Sequence, residues 1–322
     1  ATVYSHEEPA SVKVDSWGSN YYGKDFRPVN KENQNSPDNK NVNFLDPNYK
    51  GGQAGSGENL ATVFVRDGEG KVFPAQIIYS KYTPPGYTSK VQFVEENFPA
   101  GGYKTYYIDM TNKGEPAKPV SMKENTFETD FFVVKFDMKK GSITSLFDKR
   151  TNSEYVKEGG ELNKLRIYME DKNGGMKSWT LNKIVRQDDV DKVESVKVIE
   201  RGPVRVCVET VKTWGNSRFI ERTYLYKSYP RIEYDMEIHW LETGTDSTDS
   251  PMLRALFPLN MQNPKFYSHV PFNVVERPVD GMINGEKAPL WLTSQSNIYG
   301  VKPETNDGQE VPAQKWVDVT DV

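Results

Sequence analysis

The chain has 322 residues, enough for two domains or one large β architecture with a sizeable buried core. Lys+Arg 41 against Asp+Glu 45 leaves a net charge of −4, so there is no general attraction to a phosphate backbone, which argues against nucleic acid as a partner. The single cysteine, Cys207, excludes an internal disulfide, and no apolar run approaches the ~20 residues that a membrane-spanning helix needs.

No charged n-region followed by an apolar h-region opens the sequence, so the expectation is a soluble protein, with cytoplasmic and secreted locations both open. Residues 1–59 read as a polar, loop-rich segment of unknown role, in which "NKENQNSPDNKNVN" and "YKGGQAGSGEN" carry little periodic apolar signal. From Leu60 short strands are predicted: "LATVFVRD", a turn at Asp67-Gly68, "KVFPAQIIYSKY", "SKVQFVEENF" and "GGYKTYYIDM". They make a small β-sandwich over residues 60–115. The connector "TNKGEPAKPVSMKEN" sets a domain boundary near residue 116, and a second, larger domain covers residues 116–322.

The second domain opens on "DFFVVKFDMKKGSITSLFDKRTNSEYV". Phe132, Val134 and Phe136 point one way and Phe131, Val133 and Lys135 the other, the two-residue period of a half-buried strand. Lys139-Lys140-Gly141 turns the chain into "SITSLFD". The charged turn from Asp148 to Asn152 then poses a choice between a catalytic loop and a sandwich corner. Further strands are predicted in "LNKLRIYME", "VESVKVIERGPVRVCVETVKTW", "SRFIERTYLYKSY", "PRIEYDMEIHWLE", "PMLRALFPLN", "NVVERP", "PLWLTSQ" and "KWVDVTDV". No helix of three turns is predicted, so the fold class is all-β, two antiparallel domains.

The densest acidic pattern is "RIEYDMEIHW". Ile232, Tyr234, Met236, Ile238 and Trp240 share one face, and Arg231, Glu233, Asp235, Glu237 and His239 the other. Residues two apart on a strand stand about 6.5–7 Å from one another, inside the roughly 6.5–9.5 Å window of an inverting carboxylate pair. The plainer reading is a solvated face whose cross-strand partners are Arg218, Arg222 and Lys227. Cys207 in "VRVCVET" reads as a packing residue, because Val204, Val206 and Val208 hold the alternate face and no histidine lies near it in sequence. His6, His239 and His269 are isolated, with no metal-ligand spacing. The glycines from Gly51 to Gly57 lack the Lys-Ser/Thr of a phosphate loop. Trp17, Tyr21, Tyr22, Trp179, Trp214 and Trp291 are either core residues or platforms for sugar rings.

An ordered set of segments resembles the C-terminal β-domains of glycoside hydrolase family 38, the retaining α-mannosidases. The hairpin from Asp130 to Val156 is similar to that family's Gly-x-Ile-x-Ser-Leu-x-Asp-Lys hairpin, and "FPAGGYKTYYI" (Phe98 to Ile108) to the end of the preceding sandwich. "GGMKSW", "ERGPVRVCVE", "FPLN", "VVERP" and "EVPAQKWVDV" follow in the family's order, so the resemblance covers about residues 60–322. It implies a galactose-mutarotase-like supersandwich after the small sandwich, possibly truncated at its C-terminus, and makes the Asp148 to Asn152 turn a corner. It also implies a parent enzyme that cleaves α-mannosides with retention through a glycosyl-aspartate. The zinc ligands and both catalytic aspartates belong to an N-terminal domain whose His-x-Asp-Pro-Gly-Trp and Asp-x-Phe-Gly motifs have no counterpart here. No catalytic residue and no cofactor is therefore expected in this chain, with zinc expected in the catalytic domain that is its partner. Glu276 and Arg277 are the residues expected closest to an α-mannoside glycan, if any are.

Two alternatives stay open. One is a free-standing carbohydrate-binding module, which needs coplanar exposed aromatics. The other is a mutarotase-type epimerase, which needs His239, His269 and Glu237 in one cavity. The sequence starts without Met and stops at Val322 as a strand would turn, so the chain is expected to be a piece of something longer with an open sheet edge. That edge should either self-associate through residues 290–320 or be covered by residues 15–59. Analytical ultracentrifugation checks this: the full chain should stay monomeric more readily than a version lacking residues 1–59, and monomers of both at high concentration would contradict it.

Overall fold

The structure is a computed structural model that describes residues 2–5, 11–13, 59–61, 63–83, 86–109, 117–174, 183–277, 282–283, 286–287 and 313–321. The fold is all-β, with no helix among the described residues. In chain order the strands are β1 (Thr2–Ser5), β2 (Ser11–Lys13), β3 (Asn59–Ala61), β4 (Phe64–Asp67), β5 (Val72–Phe73), β6 (Ala75–Thr83), β7 (Gly86–Phe93) and β8 (Tyr106–Asp109). Next come β9 (Ser121–Lys123), β10 (Thr126–Glu128), β11 (Phe132–Asp137), β12 (Ser142–Asp148), β13 (Ser153–Glu154), β14 (Lys164–Glu170) and β15 (Ile184–Asp189). Four long strands follow: β16 (Lys192–Arg201), β17 (Arg205–Trp214), β18 (Ser217–Tyr226) and β19 (Ile232–His239). The last are β20 (Ser250–Leu256), β21 (Pro264–Val270), β22 (Asn273–Arg277), β23 (Met282–Ile283), β24 (Glu286–Lys287) and β25 (Val317–Asp321).

Two three-stranded sheets, β1-β7-β6 and β5-β4-β8, form the first sandwich. Val63, Val65, Phe73, Ala75, Ile77 and Val91 fill it, with Phe93, Tyr106 and Ile108 packed against them. Its outer strand β1 comes from the chain's N-terminal segment, where Thr2 to Ser5 run antiparallel to Lys90 to Tyr87. Within that segment residues 15–58, including the aromatics Trp17, Tyr21 and Tyr22, lie outside the described residues.

The larger region is organised by the antiparallel sheet β16-β17-β18-β19. Strict pairing of Val206 with Leu225 and of Phe219 with Ile238 puts these residues on one face. That single face serves two cores. At one end Val206, Val208 and Leu225 meet Phe127, Phe132, Val134, Phe136 and Ile143 of the five-stranded sheet β13-β12-β11-β10-β9. At the other, Phe219, with Trp214, Met236 and Trp240 beside it, meets Leu165, Ile167 and Met169 of the sheet β15-β14-β20. A separate sheet, β22-β21-β25, carries the C-terminal strand on its edge.

The opening hairpin forms as its alternation predicts, with Phe132, Val134 and Phe136 buried. Its turn is closed by Asp137, whose Oδ1 accepts the N–H groups of Lys139 and Lys140 at 2.8 and 3.0 Å. Gly141 follows with φ +67°, a left-handed conformation that glycine adopts without strain, and Thr210 of β17 leaves no room above it.

The Asp148 to Asn152 turn is a corner. Arg150 clamps the buried Asp148 carboxylate, Nη2 to Oδ2 2.6 Å and Nε to Oδ1 3.0 Å, and lies over the rings of Phe131 and Phe132. This pairing holds the Asp148 carboxyl below its ordinary value. Asn152 completes the turn at φ +54°.

Gly141→Ala tests this packing. A Cβ there collides with the Thr210 side chain and forces a left-handed alanine, so urea unfolding should show a loss of about 2–4 kcal/mol.

Candidate functional site

The other face of β16–β19 carries a charged network. It is anchored at the β16–β17 turn, where Glu200 and Arg205 flank Gly202-Pro203. The Gly202 N–H reaches the Arg205 carbonyl at 2.9 Å, which brings the two side chains side by side. The Arg205 guanidinium then grips Glu200 at both oxygens, 2.9 and 3.0 Å, and lies 4.1 Å from the centroid of the Tyr224 ring. Gln76 of β6 enters from the first sandwich. Its Oε1 accepts the N–H groups of Val204 and Arg205 at 2.9 and 3.0 Å, and its Nε2 donates to Glu200. Burial pushes the Glu200 carboxyl up, opposed by Arg205 and Gln76. Burial also works against the Arg205 charge, but Glu200 outweighs it and Arg205 holds its proton more tightly than an ordinary arginine.

Further along the face, Arg222 is 5 % exposed and donates to Glu209 at 3.1 Å. It also lies 4.0 Å from Asp235 and 3.7 Å from Glu237. Tyr226 donates to Glu233 at 2.6 Å, and Arg231 pairs with Glu233 at 2.8 Å. The acidic strand therefore finds the cross-strand Arg222 that its sequence calls for, but this arginine is buried. The face is internal at its centre and solvated only at its margins. Arg218 reaches Glu194 instead, and Lys227 donates to the Lys118 carbonyl. Cys207 is fully buried in this face and burial pushes its thiol well up, as befits a packing residue.

A cleft of about 140 Å³ opens where the two sandwiches meet, with Phe73, Pro74, Val94, Pro203 and Val204 among its walls and Ser228 at its rim. Lys71 and Lys104 lie over the Phe73 ring, at 4.7 and 5.7 Å from its centroid. Lys104 also binds Glu95 at 2.7 Å, and this bond holds the Glu95 carboxyl at about 2.

The residues singled out from sequence are scattered. Glu276 and Arg277 end β22 opposite Tyr267 and Phe266, and as strand neighbours they leave on opposite faces. His239 contacts Glu237 at 3.0 Å, whereas His269 packs against Trp316, ring centroids 5.6 Å apart. Trp214 stacks on Trp240 in the second core of the larger region. His6, Gly51 to Gly57, Trp179 and Trp291 lie outside the described residues. Among the described residues no three His, Cys, Asp or Glu side chains converge as a metal set.

Sequence reasoning missed Gln76, Glu200 and Arg205. The available signal was an acid and a base on either side of a Gly-Pro turn; their third member lies 124 residues away from Glu200. Gln76→Ala strands two buried N–H groups and one carboxylate oxygen. We expect a loss of about 2–4 kcal/mol in urea unfolding, with faster amide exchange at Val204 and Arg205.

The profile described as Glycosyl hydrolases family 38 C-terminal domain matches residues 127–322, from β10 to the end of the chain. No curated protein matches the chain. No helix among the described residues is long and apolar enough to cross a membrane. Since more than half of its length is matched, the chain belongs to the family of glycosyl hydrolases family 38 C-terminal domains.

Proposed function

We propose that this chain is the non-catalytic β portion of a retaining α-mannosidase, serving as a brace for an N-terminal catalytic domain that acts on α-mannoside glycans. The observation that carries the reading is the internal use of the buried acids. Glu200 is held by Arg205 and Gln76, and Glu209 by Arg222. Glu154 is held by Ser145 and the N–H groups of Leu146 and Val156. A glycosidase needs two carboxyls about 5–5.5 Å apart across an open cleft for retention. Carboxylates locked onto arginines and backbone donors are joinery, not a pair awaiting a sugar. In this reading zinc belongs to the partner domain, and Glu276 and Arg277 are at most bystanders near the glycan. The open edge of β25, which has only β21 beside it among the described pairings, is where self-association would act.

The full chain, purified alone, should give no hydrolysis of p-nitrophenyl α-mannoside above a matched blank, with or without added zinc. Zinc-dependent turnover would overturn the reading. Binding of α-mannosides on a glycan array by the isolated chain would also overturn it, in favour of a carbohydrate-binding module.

A further inference from the structure

The inner face of β16–β19, the face that carries both cores, holds a further buried acid. Glu221, in the middle of β18, is 3 % exposed. Its Oε2 accepts from Asn163 Nδ2 at 2.8 Å and its Oε1 from Thr223 Oγ1 at 3.1 Å. Both donors are neutral. Asn163 immediately precedes β14 and sits at φ +55°, a left-handed conformation that points its amide across the seam, so this bond ties β18 to the opposing layer.

The charges around Glu221 leave it poorly compensated. On β17 Lys212 shares its face, two residues along from Glu221's partner Thr210, and is 4 % exposed. Among the described residues it makes no ion pair with Glu221, and burial lowers its own proton affinity. On β19 the hydroxyl of Tyr234 is buried on this face without a hydrogen-bond partner, and Met236 brings only its thioether near Asn163. From the opposing layer Glu161 faces Lys140 at 3.1 Å and Lys164 at 3.7 Å, and Lys164 also pairs with Asp189. Asp191, before β16, adds a negative charge toward Lys212. No group here offers an ionised Glu221 the bidentate cation that Glu200 has on the other face.

We propose that Glu221 makes the seam between the two layers of the larger region proton-dependent, closed when Glu221 is a neutral acid and strained when it is a carboxylate. The bonds from Asn163 and Thr223 favour the carboxylate but bring no counter-charge, whereas burial disfavours the charged form. A carboxylate must carry its charge in a buried layer where its two hydrogen-bond donors are neutral. Burial pushes the Glu221 carboxyl up to about 7, opposed by Lys212 and by the bonds from Thr223 and Asn163. Its ordinary value is 4.5. Below 4.5 the folded and unfolded chains both hold the proton. Between 4.5 and about 7 only the folded chain holds it, so stability falls as pH rises through this window and levels off above it.

The test is urea unfolding of the full chain across this window, beside Glu221→Gln and Lys212→Met. Glu221→Gln keeps the acceptor for Asn163 and cannot ionise, while Glu200 and Glu209 titrate alike in both chains and cancel. Relative to the wild type, its folding equilibrium should gain on the order of a hundredfold from the acid to the neutral end. Parallel pH curves for the two chains would overturn the proposal. If Glu221→Gln does not fold, Lys212→Met decides. Removing the opposing cation should extend the wild-type decline to higher pH, and an unmoved decline would overturn the proposal.

Discussion

The bidentate grip of Arg205 on Glu200, keyed by Gln76, is the contact on which the arrangement of the two sandwiches rests. A tight Gly-Pro turn sets the pair, and the glutamine satisfies the turn's two free N–H groups while closing the acid's remaining demand. Glu200 and Arg205 pair within one hairpin, and Gln76 carries the joint across to the first sandwich. Removing any one leaves a buried charge or donor without a match, at a cost of about 3–5 kcal/mol for an ion-pair partner. Arg201 extends the joint, donating to the Val120 carbonyl while the Val120 N–H reaches Gly202, so the strand entering the larger region is tied to the same turn.

The four-stranded sheet β16–β19 thus works as a spine with two chemistries. One face supplies apolar residues to two successive cores. The other lays down acids and arginines that are shielded from water at its centre, at Glu200, Arg205, Glu209 and Arg222, and solvated toward its margins. Ion pairs of this kind add little net stability over apolar replacements of the same shape, but they punish misalignment. That property suits a brace, whose task is to hold one geometry. Glu221, an acid on this sheet's inner face, is hydrogen-bonded by neutral donors only. Glu200 and Glu221 are both pushed up by burial, but only Glu200 has an arginine gripping both oxygens to oppose it.

Much of this was legible in the sequence. The alternation of Phe132, Val134 and Phe136, the turn at Gly141, and the two faces of "RIEYDMEIHW" all follow from the two-residue period, and each appears as read. The burial of Cys207 follows from its valine-rich strand. Longer-range facts were not legible. A two-residue period places Arg222 on the charged face, but it cannot say that this arginine will be buried there beside Glu209. Nor does it separate Glu221, facing inward, from the acids facing outward, because an inward acid breaks the hydrophobic pattern without announcing a partner. Gln76 looked like an ordinary strand residue; its partners lie in another sandwich.

The central claim is that Gln76, Glu200 and Arg205 act as one unit across the two sandwiches. A double-mutant cycle on Gln76→Ala and Arg205→Met, read by urea unfolding of the full chain, measures it most directly. Coupling of at least about 1 kcal/mol between the two sites is the predicted result. Losses that simply add, within about 0.3–0.5 kcal/mol, would contradict a shared joint and reduce the contact to two independent neighbours.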